Sequence, residues 1–302
     1  MIQWRLRIKR EKNKINILQW VLFVALIIYA VTMIYSLYWG FINSLKSERD
    51  FLINKNYFGL PATWEFSNFT HVMDHMFVPV NRGGTLIKVN MLGQIVYSLM
   101  YAVGCSFVGT VAPFLMAYAY TRFRYKSNGV IMNVMLVVIA LPVIGSETSM
   151  LAVLHDMGLY DSFFGIFCVK FSYANLYFLI FISTLKSVSN SYTEAAYIDG
   201  ANEMQILLKI IVPLIKNVFF TIMLIYFIMY WNDTNTVLVY LPGYPTFAYG
   251  VWYNVFVSTT PDMNKTTLKM TAAMFLIIPM IVVFMIFRKR LMTNLSTGGV
   301  KE

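Results

Sequence analysis

Apolar runs of about 20 residues alternate with short polar stretches along most of the chain. A hydrocarbon core of about 30 Å needs roughly 20 apolar residues in helical form, so each run predicts a membrane-spanning helix. The runs fall at 17–41, 91–119, 129–151, 165–186, 214–241 and 268–287, which predicts an all-α membrane protein with six transmembrane helices. The first run carries Trp20, Tyr35, Tyr38 and Trp39 toward its ends, where interfacial belts sit. It is too long for a signal-peptide core and no small-residue cleavage site follows it, so it is expected to be retained. The second run contains Gly93, Gly104, Gly109 and Pro113, small residues that let helices approach closely, and should pack centrally.

Composition supports this reading. The chain is 58% hydrophobic and 13% charged, against about 25% charged in soluble domains, and its mean hydropathy is +0.62. A net charge of +10 invites a nucleic-acid reading, but the cations sit in short clusters beside apolar runs rather than in a stripe. Sixteen of the 24 lysines and arginines fall on one side, including Arg5, Arg7, Lys9, Arg10, Lys12 and Lys14 of the first segment and Arg288, Lys289 and Arg290 of the last. Both termini are therefore expected to be cytoplasmic, with no nucleic-acid partner. The organisation expected is a basic tail (1–16), a first transmembrane helix (17–41), an extracytoplasmic loop (43–90), a five-helix core (91–287) holding a polar loop (189–213), and a C-terminal tail (288–302).

Pro61, Asn68 and Gly83-Gly84 predict turns in the outer loop, hence a small folded cap. His71 and His75 stand four apart and would share a helix face, but with no third ligand near them no metal site is expected. Cys105 and Cys168 lie inside predicted spans and are expected to be buried thiols. Glu147, beside Pro142 and Gly145 in a broken third span, is either interfacial or turned toward a pathway. In the fifth span Tyr226, Tyr230 and Asp233 share one helix face. That face could line a pathway, or could pack on a partner subunit.

The polar loop is the most structured hydrophilic stretch. Ser191 with Glu194 three residues on predicts a capping box and a short helix. Gly200 is the expected stop, since it takes positive φ without a steric penalty. Asn202 with Gln205 predicts a second cap, and a helix that runs toward Pro213 and into the fifth span.

Glu194-Ala195-Ala196, three residues, Gly200, nine residues, then Ile210-x-Val212-Pro213 resembles the EAA signature of ABC importer permeases. Ser44-Leu45-Lys46, the stretch 117–123, Ile198-Asp199-Gly200-Ala201, Trp231-Asn232-Asp233 and Gly299-Val300-Lys301 narrow the resemblance to carbohydrate-uptake permeases like the smaller subunit of the maltose importer. Val212 stands where leucine is usual, Asn217 where a second proline is common, and Asn294 where the tail has a glycine.

The resemblance implies a type I ABC importer permease fold in a bacterial plasma membrane, with cytoplasmic coupling helices. Its partners would be a second homologous permease, two ATPase subunits, an extracytoplasmic sugar-binding protein and membrane lipid. Glu194, Ala195, Ala196, Asp199, Gly200 and Pro213 would couple to the ATPases, and Gly299, Val300 and Lys301 would touch them. The resemblance also supports a substrate pathway at Tyr226, Tyr230 and Asp233, with Glu147 as a further candidate. No phosphate-binding G-x-x-x-x-G-K-[ST] loop occurs, so ATP and magnesium belong on the partner and no catalytic residue or metal is expected here. The alternatives are an ABC permease for amino acids or peptides, and a secondary transporter, which would need paired broken helices or a coupling-ion site.

Overall fold

The computed structural model describes residues 17–123, 126–141 and 145–296, with side chains to position 288. The tail 1–16, Pro142 and the tail residues Gly299, Val300 and Lys301 lie outside the described residues.

Helix α1 (Ile17–Ser44) is apolar and exposed along nearly its whole length, burying only its end at Gly40 and Ile42–Ser44. A folded cap follows, as the turn residues predict. It holds helix α2 (Ser67–His75) and a hairpin of β1 (Phe77–Arg82) and β2 (Thr85–Asn90). The strands pair antiparallel from Phe77 opposite Asn90 to Arg82 opposite Thr85. Gly83 and Gly84, at φ +59° and +87°, form the tight turn whose two positive φ values match strand twist. The described residues are therefore mostly helical, with one small hairpin added to the expected all-α plan.

Helix α3 (Met91–Arg122) starts at Asn90, whose side chain accepts the Gly93 N–H at 3.0 Å. At 32 residues it is about 48 Å long. As its glycines predict, it is central, packing along helix α7 (Leu176–Ser187) and helix α10 (Val212–Trp231). The buried side chains of this seam include Phe114, Phe178, Phe181 and Ile222.

The third span is broken as expected, and the fourth and fifth prove to be broken too. The third (129–151) is helix α4 (Asn128–Ala140) and helix α5 (Ser146–Asp156), the latter preceded by Gly145 at φ +79°. The fourth (165–186) is helix α6 (Phe163–Lys170) and α7, separated where the Asn175 side chain accepts the Tyr177 and Phe178 N–H groups. The fifth (214–241) ends as α10 at Trp231, and helix α11 (Asn235–Tyr240) restarts after Asn232-Asp233-Thr234. In the last two, a polar side chain offers the backbone a local bond that hydropathy does not register.

Helix α12 (Phe247–Trp252) and helix α13 (Thr266–Ser296) complete the chain. Four described helices are long and apolar enough to cross a membrane: α1, α3, the run Glu203–Trp231 and α13; α4 and α7 are shorter and apolar. Trp231 is buried and its indole N–H donates to the Leu276 carbonyl of α13 at 3.3 Å, joining α10 to α13.

Candidate functional site

Helix α8 (Ser191–Ile198) begins where the sequence predicts, but without the predicted capping box. Asn190 in the cap position is already helical, at φ −64° and ψ −23°, and no side chain caps it. Ser191 thus lies inside the first turn. Its hydroxyl pairs with Ser189 Oγ at 2.8 Å, and Ser189 Oγ accepts the Ser191 N–H.

The other end matches expectation closely. Gly200 takes φ +78°, its N–H donates to Tyr197 O at 3.0 Å, and the Ala201 N–H donates to Ala196 O at 2.9 Å. These two bonds are a complete Schellman turn. Helix α9 (Glu203–Ile206) then opens with a full capping box: Asn202 Oδ1 accepts the Gln205 N–H and Gln205 Oε1 accepts the Asn202 N–H.

From α9 the chain runs without a break into α10, through a wide π-type turn at Leu207–Ile211. Pro213 has no N–H to offer the Lys209 carbonyl and its ring would crowd it. The wide turn, in which the Val212 N–H reaches Leu207 O, carries the helix past this point. Pro213 therefore lies within a continuous helix rather than at the end of a separate one.

The elbow has an inner and an outer face. Thr193 and Ala196 are buried, whereas Tyr192, Glu194, Ala195, Ile198, Asp199 and Gly200 are exposed. Of the two alanines expected to couple to the ATPases, only Ala195 is exposed. Ala196 packs into the core beside Ile206 and Leu207.

The inner face is tied to the end of α3. Arg122 Nη1 donates to Thr193 Oγ1 at 2.8 Å and the guanidinium lies 5.1 Å from the Tyr197 ring centre. Glu203 accepts the Tyr118 hydroxyl at 2.9 Å and also the Tyr197 hydroxyl. One carboxylate thus joins α3, α8 and α9.

A second polar cluster lies among the membrane helices. Asp233 Oδ2 accepts the Tyr101 hydroxyl at 2.7 Å, and Asp233 Oδ1 accepts the Thr236 N–H at 3.0 Å. Lys170 Nζ stands 3.8 Å from Asp233 Oδ2, donates to Thr236 Oγ1 at 3.2 Å and lies 5.1 Å from the Tyr230 ring centre. The predicted tyrosine stripe is real: Tyr226 and Tyr230 stack with centres 5.6 Å apart and planes 4° apart. It faces the chain's own helices, with Gly109 and Tyr101 of α3 on one side and Tyr177 of α7 on another.

Residues 90–296 match the family described as binding-protein-dependent transport system inner membrane component. The chain belongs to that family. It is 24% identical over 260 residues to the melibiose/raffinose/stachyose import permease protein MelC of Bacillus subtilis, covering 85% of this chain and 88% of that one. It is 24% identical over 244 residues to the inner membrane ABC transporter permease protein YcjP of Escherichia coli, covering 80% and 82%. Its fold is that of a chain in a bacterial ABC transporter involved in the import of the acidic polysaccharide alginate. The TM-score is 0.71 at 23% identity, covering 90% of this chain and 96% of that one.

This family member is a multi-pass membrane protein, and its candidate residues divide between two places. Glu194, Ala195, Ala196, Asp199 and Gly200 lie on the elbow, and Pro213 lies past its wide turn. Tyr226, Tyr230 and Asp233 form one cluster. Glu147 stands apart: its backbone carbonyl accepts the Tyr240 hydroxyl at 3.0 Å, and its exposed side chain forms no hydrogen bond or ion pair among the described residues.

Sequence reasoning missed Lys170, Tyr101, Tyr118, Tyr197 and Glu203, and took Arg122 only as an orientation signal. A lysine in an apolar run was the visible clue to the membrane cluster, since such a charge needs a partner. Of the cysteines, Cys105 is buried but Cys168 is exposed, in the wall of a cavity that it lines with Val138 of α4 and Met150 of α5. His71 and His75 do share a helix, stacked 4.1 Å apart, and His71 Nε2 meets the Asp262 carbonyl oxygen at 2.9 Å. No group of three metal-ligating side chains occurs among the described residues.

Proposed function

We propose that the chain is one permease subunit of an ATP-driven, binding-protein-dependent importer of oligosaccharides. The observation that carries this reading is the elbow: a short helix fixed to α3 on one face and exposed on the other, ending in a Schellman turn at Gly200. Tyr192 and Ile198 are exposed there, Ile198 by 87%, beside Glu194 and Asp199. Such a surface suits docking into a groove of a soluble ATPase, with Glu194 positioned to pair with a basic residue. ATP and magnesium would be held by two such ATPases, so hydrolysis takes place off this chain.

Relatives named for melibiose, raffinose and stachyose, for arabinooligosaccharides and for diacetylchitobiose support a sugar substrate. In this reading α4–α5 and α6–α7 each complete one crossing, giving six with both termini cytoplasmic. A second permease supplies the other half of the pathway, and an extracytoplasmic binding protein delivers the sugar. Tyr226, Tyr230 and Asp233, with Lys170 beside them and Glu147 farther off, are this chain's candidates for the pathway. Closure of the ATPases would move α8 as a lever and swing the spans between inward- and outward-facing states.

The test is uptake by the assembled transporter. Gly200→Asp and Glu194→Arg should each abolish uptake while membrane insertion stays normal. Normal uptake by both variants would remove the coupling assignment. Purification of the tagged chain from its native membrane should bring with it an ATPase and a second six-span permease. A chain recovered alone would favour a secondary transporter.

A further inference from the structure

Behind the elbow lies a cavity of about 290 Å³ whose polar lining includes Thr121, Arg122, Lys186, Ser189, Asn190 and Thr193. Three elements meet there: the end of α3, the last turn of α7 and the start of α8. Two of the lining side chains are cationic and none is acidic; of the four that carry hydroxyls, Thr121 and Thr193 donate to the Ala117 and Asn190 carbonyls and Tyr118 to Glu203. Lys186 is exposed and forms no hydrogen bond or ion pair with a described residue. Arg122 uses Nη1 on Thr193 and its face on Tyr197, which leaves further N–H donors of its five. Glu203 is occupied by two tyrosine hydroxyls. The first turn of α8, uncapped by any side chain, adds the positive end of a helix dipole.

We infer that this cavity binds a phosphate-bearing anion. Two cations of different geometry and a helix start form a donor set suited to phosphate oxygens. The anion would bridge Arg122 on α3 to Lys186 on α7, and so hold α8 against both helices. The phosphate belongs either to an anionic lipid of the adjoining leaflet or to a soluble compound. This chemistry is independent of the sugar and ATPase assignments; only the placing of the leaflet on the cytoplasmic side rests on them.

The full chain is to be examined by native mass spectrometry after equilibration with phosphatidylglycerol, with phosphatidylcholine, and with inorganic phosphate. Selective retention of phosphatidylglycerol, weakened about tenfold in Lys186→Gln and further in Arg122→Gln/Lys186→Gln, supports the site with a lipid as its source. Retention of inorganic phosphate with the same losses, and no preference between the lipids, supports it with a soluble source. Lys186 is exposed and outside the Arg122–Thr193 bond, so Lys186→Gln keeps the elbow folded and the comparison interpretable. Binding that is absent in the wild type, or equal in wild type and both variants, overturns the proposal.

Discussion

Tyr101 and Asp233, 132 positions apart, are joined by a 2.7 Å hydrogen bond between the tyrosine hydroxyl and the carboxylate. Tyr101 is fully buried in α3, whereas Asp233 sits where the fifth span breaks. The carboxylate also accepts the Thr236 N–H and faces Lys170, so the break is held by charge as well as by backbone geometry. Tyr101→Phe removes one charge-assisted bond and should lower stability by about 2 kcal/mol, read as a fall in melting temperature in detergent. Asp233→Ala should cost at least as much, because it also leaves the Lys170 ammonium unpaired in an apolar setting. Adding Lys170→Met to Asp233→Ala should then restore part of the loss. Strictly additive costs would show that the 3.8 Å pair contributes nothing.

At Gly200 the demand is conformational. A Cβ there meets no atom within 4 Å, so the strain of a substitution comes from φ +78° alone. Gly200→Ala should therefore cost only about 1 kcal/mol, and Gly200→Asn less, since asparagine visits this region more readily. Hydrogen exchange at the Gly200 and Ala201 amides should rise in the order Gly, Asn, Ala. Equal protection in all three would mean that the Schellman turn does not limit opening of the elbow.

The contrast between the elbow and the spans shows what hydropathy can and cannot reveal. Gly200 and the Asn202–Gln205 capping box are local devices, legible because residue and partner lie within three or four positions. Four of the six apolar runs coincide with helices long and apolar enough to cross a membrane, because length and hydropathy suffice to find those. The breaks at 171–175 and 232–234 were not legible, since Asn175 and Asp233 interrupt helices through side-chain bonds that apolarity averages away. The anchors of the elbow were hidden for another reason. Arg122 and Thr193 are 71 positions apart, and Tyr118 and Glu203 are 85 apart, so only the fold brings them together. Tyrosine stripes carry a similar ambiguity: periodicity placed Tyr226 and Tyr230 on one face without saying that α3 and α7 of the same chain cover it.

Glu203 should behave as the junction of the elbow. Glu203→Leu leaves the Tyr118 and Tyr197 hydroxyls without their shared acceptor and cuts α8 from α9 on that side. Loss of two hydrogen bonds to one charged group should destabilise the elbow locally by about 2 kcal/mol, with little effect on the spans. Amide exchange along 191–201 should accelerate while that of α3 stays as in the wild type. Unchanged exchange in 191–201 would assign the hold entirely to Arg122.

In the folded cap, the segment after α1 closes on Asp50, whose carboxylate accepts the Ala62 N–H at 3.0 Å and the Asn56 side-chain amide. These bonds, the Ala62 N–H first, hold the Asp50 carboxyl below its usual range against the opposing effect of burial. A carboxylate with a depressed folded pKa stabilises the cap at every pH above its unfolded value of about 4. That contribution fades as pH falls through the folded value, so limited proteolysis between Lys46 and Ala62 should quicken only in strong acid. Asp50→Asn should remove this acid dependence and weaken the cap at neutral pH. Lys46, fully buried beside Asp50, has its amine pKa lowered by desolvation, with Asp50 partly offsetting the shift. Without Asp50 the lysine pKa should drop further. The folded cap then favours the neutral amine, so the variant should gain stability as pH rises from that lowered value toward the unfolded value of about 10.4. Proteolysis that slows on the alkaline side more in Asp50→Asn than in the wild type would confirm the pairing, and equal slowing in both would show that Lys46 does not sense Asp50.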